Sequence, residues 1–300
     1  MLFDARFAVA RIRTAGAEIH LRHGGNGPPL LLLHGYPQTH AMWHAVAPAL
    51  CARFHVVCPD LRGYGDSSKP ESAPDHATYS KRAMAADMIE VMAALGHTRF
   101  AVAGHDRGGR VAHRLALDHR DAVSRVCVMD IAPTLYMFEH TDMQFATGYY
   151  HWFFLIQPNG LPERLIGADP DFYLQSKLAK WSADDTMFDA EALTEYRRCF
   201  DAATIHASCE DYRAAAGIDL EHDRASLGHT IECPLLVLWG ARGFVHRMYD
   251  VAATWRERAR SVEAHALDCG HFLAEEAPAA VIERLAAFFG PAESTIRPER

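Results

Sequence analysis

No stretch of about 18 consecutive apolar residues occurs in the 300-residue chain, so it offers no candidate membrane-spanning helix. Basic charge is also in short supply. Thirty Lys and Arg stand against 38 Asp and Glu, a formal net charge of −8. No basic stripe is available to neutralise phosphates, which argues against nucleic acid as a partner. The first residues, MLFDARFAVARIR, carry an acid at Asp4 and no long apolar block before a small-residue cleavage site, so no signal peptide is expected. Cys-x-x-Cys is missing, and the seven cysteines are an odd number. Cys51, Cys58, Cys127 and Cys233 lie in or beside apolar runs, as small core residues do; reduced thiols and a cytoplasmic location follow as expectations. Nineteen histidines are present without His-Glu-x-x-His or a similar spacing, so neither a metal site nor a cofactor is expected. Internal repeats and low-complexity tracts are lacking too. The remaining composition, 49% hydrophobic and 23% charged, is that of an ordinary globular protein, long enough for one large α/β domain with an inserted part.

The chain alternates strands and helices. Phe7–Ile12 and Glu18–Arg22 read as early antiparallel strands. Pro29–Leu33 is wholly apolar and ends in His34-Gly35, which suits a strand covered on both faces. Phe54–Pro59, Arg99–Ala103, Ser124–Asp130, Pro234–Trp239 and Val262–Leu267 are further strand candidates. Tyr79–Leu95 carries Met84, Met88, Met92 and Leu95 at helical spacing and stops at Gly96. Arg110–His119, Val251–Ala259 and Ala279–Phe289 also read as helices. This alternation predicts a mostly parallel sheet with helices on both faces. The rhythm breaks between about 133 and 223, where strand-like runs vanish and helix formers and aromatics dominate. The expected organisation is a core over 1–132, a helical cap over 133–223, and the rest of the core over 224–300. The polar tail Glu293–Arg300 is expected to be loosely held.

Serine is missing where it would be most informative. Gly104-His105-Asp106-Arg107-Gly108 has the Gly-x-x-x-Gly frame of a sharp strand-to-helix turn that usually presents a nucleophilic serine, and Asp106 fills the central position. A carboxylate is a poor attacker of esters, since the anhydride formed is as labile as the reactant. It can displace a leaving group from a saturated carbon and form a stable ester. Water must then cleave that ester, and a neutral histidine near pH 7 is a suitable base. The late histidine of Gly270-His271-Phe272 is the candidate.

Three features, the Leu-rich strand ending in His34-Gly35-Tyr36-Pro37, the aspartate turn and the late histidine, resemble those of the α/β-hydrolase family along nearly the whole chain. The resemblance implies a mostly parallel eight-stranded sheet with an inserted helical cap, and the order nucleophile, acid, histidine. In many such enzymes the acid lies three residues past the glycine of the strand that reads PLLVLWG here. That place is Gly243, so the acid is expected at Asp130 in VMDIAP, with Asp250 as the fallback. The backbone N–H groups of Tyr36 and Arg107 are placed to serve as the oxyanion donors.

Arg107 and Arg110 lie three apart on the helix after the turn and so share a face. Positive charge is unfavourable at a helix N-terminus, so two arginines there suggest a compensating anion, such as a substrate carboxylate gripped by their guanidinium groups. With HDRGGR, VMDIAP, His151-Trp152, Tyr212 in EDYRA and CGHFLAEEAP, the chain is similar to haloacetate dehalogenases of the fluoroacetate type. That resemblance implies that Arg107 and Arg110 bind the substrate carboxylate, that His151, Trp152 and Tyr212 donate to the leaving halide, and that the enzyme is a homodimer. Haloalkane dehalogenases and many epoxide hydrolases have tryptophan directly after the nucleophile; Arg107 stands there in this chain, which speaks for an anionic substrate. An epoxide hydrolase, using Tyr149, Tyr150 or Tyr212, is the competing enzyme, and a non-catalytic binding protein of the same fold is a third alternative.

Overall fold

The computed structural model describes residues 2–183 and 188–290; the tail Glu293–Arg300 lies outside the described residues. Eight strands form one sheet: β1 (Phe7–Arg13), β2 (Glu18–Gly24), β3 (Pro29–Leu33), β4 (His55–Pro59), β5 (Phe100–His105), β6 (Val123–Met129), β7 (Leu235–Gly240) and β8 (Val262–Leu267). Their spatial order is β1-β2-β4-β3-β5-β6-β7-β8. β1 and β2 pair antiparallel, as do β2 and β4, and the remaining neighbours are parallel.

The central strands are buried because they are apolar on both faces. Leu30 to Leu33 and Val102 to Ala103 are completely covered, which a two-sided parallel sheet requires. β3 is followed on one side by β4 and on the other by β5, so the winding direction reverses between β3 and β5. Clefts form at the C-terminal strand ends beside such a switch point. His34 follows β3 and Asp106 follows β5 at that place.

Helix boundaries differ modestly from the sequence pattern. The helix after Asp106 runs Arg107–Asp118 and so begins three residues before the apolar periodicity becomes visible. The helix from Val251 ends at Arg256, and Cys233 is only half-buried. Between β6 and β7 the described residues form helices from Thr134 to Ala225 and no strand. They include His151–Phe154, Pro170–Trp181, Ala190–Cys199 and Ala202–Ala216.

Candidate active site

Asp106 occupies a backbone conformation with φ 45° and ψ −114°. Such a conformation costs about 1–3 kcal/mol and persists only where the surroundings enforce it. Two glycines permit the enforcement. A Cβ at Gly104 would lie 2.2 Å from the carbonyl oxygen of Gly108, and one at Gly108 would lie 2.4 Å from that of His34. The helix can therefore pack directly onto the strand ends. His34 braces the neighbouring strand end. Its Nδ1 donates to the Gly35 carbonyl at 3.0 Å, its Nε2 accepts from the Leu61 N–H at 3.0 Å, and its own carbonyl accepts from the Gly108 N–H at 2.9 Å.

The Tyr36 N–H donates to Asp106 Oδ2 at 3.0 Å. Asp106 Oδ1 has no hydrogen-bond partner among the described residues, so the carboxylate presents one held oxygen and one bare one. Burial pushes this carboxyl up, but the positive charges of His271, Arg107 and Arg110 outweigh it and hold the group below the usual range. The Arg107 N–H opens its helix, where no intrahelical acceptor exists.

His271 Nδ1 and Asp130 Oδ2 are 2.6 Å apart, and the other oxygen, Oδ1, accepts from the Gly240 N–H at 3.0 Å. Burial lowers the His271 pKa, while the hydrogen bond and charge of Asp130, helped by Asp106, raise it further, leaving it above the ordinary imidazole value. A Cβ at Gly243 would sit 3.4 Å from Asp130 Oδ1. The vacant place after β7 thus lies beside the carboxylate supplied by β6. Asp250 is elsewhere: it caps its own helix by accepting from the Ala253 N–H at 3.0 Å. His105 leans on the same assembly, its Nε2 donating to the His271 carbonyl at 2.7 Å; burial and the nearby His271 push its pKa down to about 3, so it stays neutral.

The two arginines do not form a matched pair. Arg107 directs Nε and Nη2 to the Asp211 carboxylate at 2.9 and 2.5 Å, and its guanidinium lies 4.1 Å from the Tyr212 ring centre. The compensating anion that the sequence demanded is, for this residue, Asp211 rather than an external one. Arg110 has no carboxylate within ion-pair distance among the described residues. It donates Nη1 to Thr134 Oγ1 at 2.8 Å and to the Ala132 carbonyl at 3.2 Å, and sits 4.8 Å from the Trp152 ring centre. Burial and the repulsion of Arg107 lower its pKa. Arg107 Nη1 and Arg110 Nε are buried donors without a partner, a costly condition unless something accepts from them.

His151, Trp152 and Tyr212 are buried in the same region. The His151 ring centre is 5.5 Å from that of Tyr212, and Tyr212 is 5.4 Å from Tyr36. Burial, followed by the charge of Lys177, holds His151 well below the ordinary imidazole value, so it is neutral, with Nδ1 buried and unpartnered. Two neighbours escaped the sequence reading. Asp211 directly precedes Tyr212, yet its partner Arg107 is 104 positions away. Trp181 packs 4.7 Å from His151 and 5.5 Å from His271, and its carbonyl accepts from the His271 N–H at 3.0 Å. Nothing distinguishes it in sequence from the other cap aromatics. Mixed His and carboxylate groups also occur at His20, His40 and Asp60, where both histidines hydrogen-bond to the aspartate, and at Glu163, His206 and Glu210, where His206 bonds to Glu163 and Arg213 bonds to both glutamates.

A strand-to-helix elbow, an acid–histidine pair and a parallel sheet reversing beside them define an α/β hydrolase. The profile of the alpha/beta hydrolase fold matches residues 28–278, and the chain belongs to that family. It is 49% identical to a fluoroacetate dehalogenase from Burkholderia sp over 91% of this chain and 90% of that one. A soluble epoxide hydrolase from Corynebacterium sp is 35% identical over 92% of this chain and 95% of its own. Among solved structures, a protein from Nostoc sp PCC 7120, provisionally described as an alpha/beta hydrolase, superposes with a TM-score of 0.95 at 56% identity, covering 97% of this chain and 100% of that one.

Proposed function

We propose that the protein hydrolyses haloacetates, fluoroacetate and chloroacetate among them, to glycolate and halide through an ester on Asp106. The observation that carries this reading is the pairing of a carboxylate nucleophile that has one bare oxygen with Arg110, a buried cation that has no carboxylate within ion-pair distance among the described residues. A small carboxylate substrate answers both. The 49% identity to a fluoroacetate dehalogenase supports the same substrate class.

In the first step Asp106 Oδ1 attacks the α-carbon from behind, the carbon–halogen bond breaks, and the halide departs with the bonding pair. Arg107 Nη1 and Arg110 Nε hold the substrate carboxylate. His151, Trp152 and Tyr212 donate hydrogen bonds to the halide, a strong effect for fluoride in a dry pocket. In the second step His271, neutral and oriented by Asp130, removes a proton from water, and the hydroxide adds to the ester carbonyl of Asp106. The N–H groups of Tyr36 and Arg107 bind the resulting oxyanion, which collapses to release glycolate. The helices between 133 and 223 act as the lid that keeps bulk water out. A cytoplasmic homodimer completes the reading.

His271→Asn tests it. Exposed to fluoroacetate or chloroacetate, this variant accumulates a covalent adduct on Asp106, seen by intact-mass spectrometry and peptide mapping. A protein that stays unmodified, or a wild type that releases no halide yet forms diols from simple epoxides, overturns the reading in favour of the epoxide hydrolase that the Corynebacterium relative represents.

A further inference from the structure

Asp211 is fully buried on the helix Ala202–Ala216 and is saturated with donors. Besides the two bonds from the Arg107 side chain, Tyr64 Oη–H donates to its Oδ2 at 2.6 Å, the Lys81 ammonium contacts Oδ1, and its carbonyl accepts from Arg107 Nη2 at 3.0 Å. Burial pushes the carboxyl up, yet Arg107 and Lys81 overcome this and hold it far below the usual range, so it is charged at any working pH. Tyr64 follows β4 in the DLRGYGDS loop and Lys81 begins the helix Lys81–Ala94, so the acid is fixed from two further directions besides Arg107.

Two consequences follow for Arg107. Its Nε–Nη2 edge is consumed, leaving only Nη1 to face outward. The edge is also kept away from Asp106, the preceding residue, whose carboxylate already feels the Arg107 charge. A freed guanidinium could turn onto Asp106 and cover Oδ1.

We infer that Asp211 is a positioning residue for the proposed displacement: it clamps the inner edge of Arg107, so that the guanidinium offers only its Nη1 amino group to the substrate carboxylate and stays off the attacking oxygen. This rests on the haloacetate reading above. It also makes the two arginines unequal, with Arg107 serving as a fixed peg and Arg110 supplying a charge that has no ion-pair partner among the described residues.

Charge acts on anion affinity and placement on the rate of attack, so the two are read separately. Asp211→Asn removes a negative charge near the site, and by electrostatics alone an anion should then bind more tightly. Loss of placement should instead slow attack at saturating substrate, by on the order of 100-fold for a misplacement of about 1 Å. The experiment compares wild type and Asp211→Asn on chloroacetate by rapid quench and intact mass, following formation and breakdown of the Asp106 ester, with acetate affinity measured by calorimetry. The expected result is slow ester formation, breakdown at the wild-type rate, and acetate affinity unchanged or tighter. Ester formation within about threefold of wild type overturns the inference. Loss of both steps together also overturns it, since that is the mark of a merely structural residue. A wild type that forms no ester overturns the haloacetate reading, and this inference with it. Should Asp211→Asn fail to fold, Tyr64→Phe removes one hydrogen bond to Asp211 and leaves every charge in place. It should slow ester formation alone, by about 3- to 10-fold; an unchanged rate overturns the inference.

Discussion

Asp106 and Asp130 stand at the ends of β5 and β6, and His271 follows β8, whereas His151, Trp152, Asp211 and Tyr212 stand on two helices of the inserted segment. The first group inherits its geometry from the sheet. Parallel pairing sets His105 opposite Met129 and Gly240 opposite Leu267, so the residues just beyond these strands arrive side by side whatever covers them. The second group is placed by ring packing and by an ion pair that joins the insertion to the elbow helix. On the proposed function the displacement and ester cleavage fall to the sheet group and halide recognition to the insertion, an arrangement in which one fold can carry different sites.

The contrast can be broken most severely at Asp130. Asp130→Asn should reduce the steady-state rate by about 10²–10⁴-fold through the ester-cleavage step, as loss of the orienting acid does in comparable triads. The pH profile should respond too. In the proposed scheme His271 acts as a base only when neutral, and its pKa is raised, so the acid limb of wild-type activity should lie above pH 6.5. In Asp130→Asn the limb should move to lower pH. A limb that stays in place would show that the sheet group does not control this proton.

A smaller effect is expected in the insertion. Tyr212→Phe keeps the ring that stacks on Arg107 and removes only the hydroxyl. A hydrogen bond to a charged group is worth about 1.5–3 kcal/mol, so fluoroacetate turnover should fall on the order of 10- to 100-fold. Chloroacetate, whose leaving group needs less help, should lose less. Equal losses on both substrates would mean that Tyr212 acts on packing rather than on the departing halide.

The smallest effect concerns the seam between the two regions. Glu275, on the segment after His271, accepts from Tyr196 of the insertion at 2.7 Å and from Gln38 of the core at 2.7 Å. Burial raises its pKa to about 8. A carboxyl raised in the folded state contributes stability that is full below its unfolded pKa near 4.5 and is lost as pH climbs through about 8. Glu275→Gln should therefore melt at a higher temperature than wild type above pH 8, with the advantage shrinking at pH 5. A melting curve with the same pH dependence in both proteins would place the titrating group elsewhere.

Much of the sheet group is legible in sequence because its signals are local. Gly104 and Gly108 frame Asp106, and Gly243 marks the vacancy that Asp130 fills. The strand boundaries fall within a residue or two of the apolar runs, since a two-sided sheet leaves little choice of residue. The insertion is harder to read. Its helical character shows in composition, but the bond from Arg107 to Asp211 spans 104 positions and leaves no spacing to find. Arginines at i and i+3 correctly share a face, yet a shared face does not say which of them already has a partner. Trp181 is one bulky ring among many until folding sets it against two histidines.

The grip of the Tyr36 amide on a single oxygen of Asp106 has a consequence for the history of each atom. If only the ungripped oxygen strikes carbon, the hydroxyl oxygen of the first glycolate made by each molecule originates in the protein. The oxygen drawn from solvent stays behind in the side chain and leaves one cycle later. The enzyme would then hand out its own oxygen before it ever delivers water's.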